Sequence, residues 1–304
     1  MNKQRLTLQL GDVTLAYSLF TKHTFSTDSD CIPNDTPYRD KRRIMLLHGA
    51  GVAGELTWTF IANYLAHWDE VLIPDLLGMG DSFYEPTDNE TFTINDMMQS
   101  LFSLLRHHNW QGFDLAGYSL GGLVALELNR EICERVASCP ANMSVGRLCL
   151  IEPALFSDQS LRSALAFRET FTPIANNIKA DPADSRHFIE FLDLVSPHRK
   201  GHEKTDALAV QRLQVRPHGF ANALLAVSYY AKSLNERSLE QLLAVVPPGV
   251  GIIGGLSREG LMLAQQNIQH YQPNWHIESL DNADHSLVYV RPKKVAHLIN
   301  TYLC

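Results

Sequence analysis

No stretch of this 304-residue chain is apolar for long enough to act as a secretory leader or to span a bilayer. The opening "MNKQRLTLQLGDVTLAYSLF" instead alternates apolar and polar residues. It reads as two strands and points to a cytoplasmic protein without stable membrane insertion. A basic stripe is also missing: the net charge is -7, with no long run of one sign. A nucleic-acid protein needs clustered cations for phosphate contacts, so no nucleic-acid partner is expected. Cysteine is sparse, and Cys31, Cys133, Cys139, Cys149 and Cys304 make an odd number with no CxxC pair. That argues against a disulfide scaffold, suits a reducing compartment, and leaves most of the five as small buried apolar groups. Internal repeats and low-complexity tracts are lacking too. His198 and His202 in "PHRKGH" give a weak hint of a metal pair, with no further ligand near them.

What the chain does have is apolar substance, 45% of its residues, enough for a sizeable core. After the first hairpin comes a polar stretch, "TKHTFSTDSDCIPNDTPYRDKRR", which reads as a surface loop. Apolar runs then alternate with segments of helical spacing: "RIMLLHG", "ELTWTFIANYLAHW", "EVLIPD", "TINDMMQSLFSLLRHHN", "FDLAGYS", "LGGLVALELNREICERV" and "RLCLIEP". Strands apolar throughout and separated by helices predict an α/β fold, its parallel sheet covered on both faces. Between residues 155 and 243 the alternation stops, and helical segments such as "SRHFIEFLDLV" and "FANALLAVSYYAKSL" follow one another. It resumes with "GVGIIGG", a helix around "LMLAQQNIQHY", the strand "WHIESL" and the helix "RPKKVAHLINTYL". The chain thus divides into a core, residues 1–154 and 244–304, and a helical insertion, 155–243, expected to act as a lid.

The chemistry centres on Gly117-Tyr118-Ser119-Leu120-Gly121, a G-x-S-x-G motif where a strand ends and a helix begins. A hydroxyl is a poor nucleophile by itself. It needs a base beside it, a group to orient that base, and donors for the oxyanion that forms on the substrate. The glycines permit a turn too tight for side chains, which lifts Ser119 above the strand end. The helix starting at Leu120 aims its free N–H groups at the same spot.

Together with "LLHGAG", "PDLLGMGDS" and the closing "DNADHSLVYVRPKKVAHLINTYL", this motif makes the chain resemble the α/β-hydrolase fold family over nearly its whole length. The resemblance implies a mostly parallel eight-stranded sheet, a serine-hydrolase triad, no metal or organic cofactor, and a helical cap between the sixth and seventh strands. Ser119 matches the family's nucleophile, and His285 in "NADHSL" its base. The oxyanion donors would be the backbone N–H groups of Leu120 and of Ala50 in "HGAG". His48 and Gly49 would shape that loop, and Asp75, Gly78, Gly80 and Ser82 match a structural turn.

The third triad member departs from the pattern. The family usually carries an aspartate three residues past the glycine that ends the seventh strand, and here that residue is Ser257, which cannot hold a negative charge. Glu152, ending the sixth strand in "LCLIEPALF", is preferred, as in relatives with a "GGLS"-like sequence; Glu259 is the alternative, with Asp284 and Asp281 behind it. Phe156, Phe167, Phe171, Phe188, Phe191, Phe220, Tyr229 and Tyr230 fall in the insertion. Several are expected to line an apolar pocket, the rest packing as core. No arginine cluster near the motifs suggests a carboxylate clamp, with Arg168 and Arg258 as isolated candidates. The expected activity is hydrolysis of a small to medium apolar carboxylic ester. A thioesterase, lactonase or C–C bond hydrolase would use the same triad. A ligand-binding member of the fold is the non-enzymatic alternative.

Overall fold

The computed structural model describes residues 1–22, 41–85, 91–138, 143–155, 160–199, 201 and 203–304. Most of the polar stretch expected as a surface loop, together with His202 and Phe156, lies outside them. The chain opens with the predicted hairpin, β1 (Asn2–Leu10) and β2 (Val13–Thr21). The alternating part supplies β3 (Arg43–Leu47), α1 (Gly54–Ala62), β4 (Glu70–Pro74), β5 (Phe83–Tyr84), α2 (Ile94–His107), β6 (Gly112–Tyr118), α3 (Leu120–Ser138) and β7 (Ser144–Ile151). Six helices follow: α4 (Leu161–Glu169), α5 (Phe171–Ala180), α6 (Ser185–Val195), α7 (Glu203–Leu213), α8 (Pro217–Ser233) and α9 (Glu236–Ala244). The alternation then closes with β8 (Gly249–Gly254), α10 (Glu259–Tyr271), β9 (Trp275–Leu280), α11 (Leu287–Val290) and α12 (Pro292–Tyr302).

Among the described residues nine strands form one sheet in the order β1-β2-β4-β3-β6-β7-β8-β9, with β5 paired to β2. The count exceeds the expected eight by β5. Strand β4 pairs only Tyr17–Thr21 of β2, so Val13 and Thr14 are left for Tyr84 and Phe83 of the returning chain. Two residues carry no readable period. From β4 across to β9 every neighbouring pair is parallel, and the central strands β3, β6 and β8 are buried along nearly their whole length because helices cover both faces, while the edge strand β9 keeps polar residues. Trp58 and Ile61 of α1 pack with Val295 and Ile299 of α12 on one face. Met97 and Leu101 of α2, Leu123 and Leu126 of α3 and Ile268 of α10 cover the other.

The six-helix block has an apolar cluster of its own. Phe188 and Phe220 are fully buried and stacked at 6.0 Å, and Phe191 meets Phe220 edge-on at 4.8 Å. Each fully buried side chain of this size contributes roughly 1.5–3 kcal/mol relative to exposure.

The turn after β4 is tied by one buried carboxylate. Asp75 accepts from Gly54 N–H at 2.7 Å and Asp81 N–H at 2.9 Å, and pairs with the Arg5 guanidinium. Ser82 Oγ donates to the Asp75 carbonyl and accepts from Ala16 N–H, which fastens the turn to β2. Truncating Asp75 would leave the Gly54 and Asp81 N–H groups without that acceptor and remove one of the ion pairs of Arg5. Asp75→Ala is therefore expected to cost about 3 kcal/mol in urea unfolding. A loss below about 1 kcal/mol would mean the turn holds without it.

Candidate functional site

The site follows from strand register. Leu47 of β3 lies opposite Gly117 of β6, Tyr118 opposite Ile151 of β7, Ile151 opposite Ile252 of β8, and Gly254 opposite Leu280 of β9. Strands β8 and β9 run slightly past the ends of β6 and β7, and the residues that follow all these parallel strands meet along one edge, where α/β sheets carry their ligand sites. His48, Ser119, Glu152, Ser257 and His285 all arise there.

Ser119 has φ +53° and Glu152 φ +44°, a left-handed conformation that side chains with a Cβ disfavour. The other non-glycine residues of this kind among the described residues, Asn109 and Asn282, are the type that tolerates it. Both strained residues keep their N–H in the sheet, Ser119 to the Ile151 carbonyl at 2.9 Å and Glu152 to the Ile252 carbonyl at 3.1 Å, while the chain turns away. Gly121 permits the turn: a Cβ there would stand 2.3 Å from the Leu47 carbonyl and 2.6 Å from that of His48. The helix α3 therefore begins against the end of β3.

The His285 ring lies between the two strained residues. Its Nε2 is 3.1 Å from Ser119 Oγ, and its Nδ1 is 2.5 Å from Glu152 Oε2. A carboxylate can only accept, so Nδ1 carries the proton and Nε2 presents a lone pair to the serine hydroxyl. The other carboxylate oxygen, Oε1, accepts from Gly254 N–H at 2.6 Å and from the hydroxyl of Ser257. Glu152 is 1% exposed, so these contacts are what compensates its lost hydration. The hydrogen-bonded chain thus runs to Glu152. Glu259 is exposed in the first turn of α10, Asp281 is exposed, and Asp284 accepts from the N–H and hydroxyl of Ser286.

The loop after β3 abuts the serine: a Cβ on Gly49 would lie 3.3 Å from that of Ser119. Ala50 and Leu120 border a small cavity of ≈ 30 Å³ with Ser119. His48 is buried behind them. Its Nε2 accepts from Leu76 N–H at 2.7 Å, so Nδ1 is the donor to the Gly49 carbonyl at 2.7 Å. Burial holds His48 below the ordinary histidine pKa, outweighing the opposing pull of Asp75. It is a neutral strut between two loops. His198 is exposed, and His202, its companion in the weak hint of a metal pair, is outside the described residues.

Two further cavities flank the serine and the imidazole. One, of ≈ 330 Å³, is walled by Val52, Phe191, Val195, Leu208, Leu213 and Tyr289 among others. The second, narrower at ≈ 60 Å³, includes Ala154, Phe167, Phe171, Leu261, Arg168 and Arg258 in its lining. Of the insertion aromatics, Phe167, Phe171 and Phe191 reach these cavities, Phe188 and Phe220 are core, and Tyr229 is exposed.

The family model described as "Alpha/beta hydrolase family" matches residues 44–298. The chain belongs to the α/β-hydrolase family. Among curated proteins it is similar to the biotin biosynthesis bifunctional protein of Teredinibacter turnerae, 28% identical over 284 residues, covering 88% of this chain and 45% of that protein. The chain spans less than half the length of the curated relatives it matches. Among solved structures it shares its fold with a thermophilic esterase from Thermogutta terrifontis, at TM-score 0.69 and 20% identity, covering 99% and 98% of the two chains. The enol-lactonase from Burkholderia xenovorans LB400 gives TM-score 0.68 and 14% identity, covering 98% and 99%. Among the described residues no helix is long and apolar enough to cross a membrane.

Within the α/β-hydrolase frame, three contacts were not read from the sequence. Ser257, at the position where the family usually has its acid, donates to Glu152. Tyr118 donates its hydroxyl to the His285 carbonyl at 2.6 Å and lies 5.1 Å ring to ring from the imidazole, which steadies the loop after β9. Burial, then the neighbouring charges, raise the Tyr118 phenol well above its usual range, so it stays a donor. Arg168 and Arg258, far apart in sequence, share one cavity. An aromatic residue directly before the serine was the one available signal for Tyr118.

The His48 strut makes a pH signature. The unfolded chain binds a proton at this histidine below about pH 6.5, and the folded chain resists it. Its contribution is therefore complete above that pH and is lost as pH falls, at up to about 1.4 kcal/mol per unit. Urea unfolding between about pH 5 and 7.5 should give a steeper loss for wild type than for His48→Gln. Equal slopes would assign the effect to another group.

Proposed function

We propose that this chain is a serine hydrolase that cleaves a small to medium, largely apolar carboxylic ester through an acyl-enzyme on Ser119. The observation that supports this is the unbroken hydrogen-bonded chain Ser119–His285–Glu152, opening on cavities at a half-buried edge. In this reading His285 Nε2 takes the hydroxyl proton as Ser119 Oγ attacks the carbonyl carbon. Glu152 fixes the required tautomer and stabilises the imidazolium. The N–H groups of Leu120 and Ala50 hold the oxyanion, beside the N-terminus of α3. As the tetrahedral species collapses, His285 gives that proton to the leaving alcohol. Water, deprotonated by His285, then adds to the acyl carbonyl, and the acid leaves as Ser119 regains its hydrogen.

The helical block, residues 155–243, acts as a cap over a core of 1–154 and 244–304. Phe167, Phe171 and Phe191 support this, since they line cavities shared with Ser119. A reducing, cytoplasmic setting is part of the same reading and is supported by Cys133, Cys149 and Cys304 being free thiols.

The test is fluorophosphonate labelling together with a series of p-nitrophenyl esters of increasing chain length. Label is expected on Ser119, and Ser119→Ala and His285→Ala should each lower kcat by at least about 10⁴-fold. Glu152→Gln is expected to lower it by roughly 10³- to 10⁴-fold, while Glu259→Gln stays close to wild type. Turnover surviving in Ser119→Ala would end the hydrolase reading. A collapse in Glu259→Gln with Glu152→Gln intact would exchange the acids.

A further inference from the structure

Ser257 carries a hydroxyl that the turn around it does not need. The segment running from Gly254, the last residue of β8, to Ser257 is fastened by main-chain bonds alone. Gly255 N–H donates to the Leu280 carbonyl at 2.9 Å, Leu256 N–H to that of Ala283 at 2.9 Å, and Ser257 N–H to that of Gly254 at 3.0 Å. The first two tie the segment to the stretch after β9 that leads to His285. Gly254 lets the two come this close: a Cβ there would stand 2.4 Å from the Ala283 carbonyl oxygen. With the main chain held in this way, the Ser257 side chain has one hydrogen-bond partner among the described residues, Glu152 Oε1.

What that bond does follows from the shape of a carboxylate. The terminal torsion of a glutamate side chain is broad and roughly two-fold, so the carboxylate plane is set by its contacts rather than by a rotamer well. Glu152 Oε2 faces His285 Nδ1, and Oε1 takes the Gly254 N–H at 2.6 Å. One bond on Oε1 would still let the carboxylate pivot about that contact and carry Oε2 out of line with the imidazole. The Ser257 hydroxyl is a second donor to the same oxygen and resists the pivot. Charge matters as well. A carboxylate at position 257 would bring a second anion within hydrogen-bond range of Glu152, and two carboxylates sharing one site cannot both stay ionised. A hydroxyl donates without adding charge, which leaves a single aligned carboxylate for His285.

We propose that Ser257 is a positioning residue for hydrolysis, acting only through Glu152: it holds the carboxylate so that Oε2 stays on the His285 Nδ1 proton while Nε2 receives the proton of Ser119. The proposal rests on the serine-hydrolase reading above and adds a fourth member to its hydrogen-bonded chain. As Ser119 Oγ attacks, its proton passes to Nε2 and the imidazole becomes a cation between serine and carboxylate. The Glu152 charge is worth most to that cation when Oε2 remains at hydrogen-bond distance from Nδ1. Alignment therefore counts for more in the transition state than with the neutral imidazole of the resting site. Ser257 is absent from the linings of the three cavities that reach Ser119, so its removal leaves the contacts available to a substrate in place. An interaction that strengthens only in the transition state shows in kcat and not in KM.

Kinetics on p-nitrophenyl esters and a double-mutant cycle test this. Ser257→Ala is expected to lower kcat by roughly 10- to 100-fold with KM within about twofold of wild type. Ser257→Thr keeps the hydroxyl and should recover most of the loss. In a Glu152→Ala background no carboxylate is left to align, so adding Ser257→Ala should change kcat by less than about twofold. Should Glu152→Ala fail to fold, proton NMR on the single variant decides. The low-field resonance of the His285 Nδ1 proton in wild type is expected to move upfield or broaden in Ser257→Ala, since its acceptor is no longer held in line. Wild-type kcat in Ser257→Ala, an equal loss with and without the Glu152 carboxylate, or an unchanged Nδ1 resonance would overturn the positioning role. Fluorophosphonate labelling of Ser119 would leave the hydrolase reading standing in each of those cases. Absence of label on Ser119 in wild type would instead remove the reading beneath the proposal.

Discussion

A carboxylate taken out of water must have its charge compensated, and at the C-terminal edge of this sheet that requirement falls on Glu152. Its side chain joins three elements: the end of β7 that carries it, Gly254 and Ser257 at the end of β8, and His285 after β9. Each partner is available because β7 stops opposite Ile252, short of the end of β8 at Gly254, so the Glu152 side chain takes the Gly254 N–H, and Gly254 lies opposite Leu280 at the end of β9. Loss of the carboxylate would therefore do more than remove one acceptor. It would release the imidazole from its tautomer and leave the buried Gly254 N–H without its acceptor.

Strain is concentrated at the same place. A left-handed conformation costs a residue with a side chain about 1–3 kcal/mol, and the surrounding structure must over-determine it for it to persist. Ser119 is held by the Ile151 carbonyl through its N–H and by the Ala154 N–H through its carbonyl. Glu152 is held through its N–H by Ile252 and through its carboxylate as above. The two strained residues sit at the ends of adjacent central strands and face one imidazole from opposite sides. Both local conformations serve one alignment, which is the kind of outlier that points to function rather than to a fault in folding.

How much of this was legible in the sequence differs from residue to residue. The α/β class was, because a buried parallel strand has to be apolar throughout and its crossover has to be a helix. Ser119 stood out because packing alone gives no reason to set a polar residue between glycines where a buried strand meets a helix. The two-residue strand Phe83–Tyr84 was not legible, since its pairing depends on where β4 stops covering β2. The choice between Glu152 and Glu259 was ambiguous for a related reason. It depends on whether the loop after β8 turns back towards β9 or leads straight into α10, and a few residues of loop encode that only through tertiary contacts. Ser257 takes the former course and Glu259 the latter. Arg168 and Arg258 could be read only as isolated residues, because two side chains on separate elements meet only after the helical block has folded against the sheet.

That meeting also says something about how the two parts of the chain depend on each other. The block has its own apolar cluster around Phe188 and Phe220, and Ala164, Ala223, Ala226 and Val227 join it to the main core by contacts that set no direction. Polar and charged contacts are more directional than apolar ones, and two of them cross this boundary, both donated from the block. Arg216 of the block donates to the Gly80 carbonyl in the turn after β4, and Tyr230 donates to the buried carboxylate of Glu127 in α3. Such bonds select one seating out of many that hydrophobic burial would accept, and it is this seating that brings Arg168 to Arg258. The lining of the cavity beside Ser119 is in this sense a consequence of how the block is anchored some distance away.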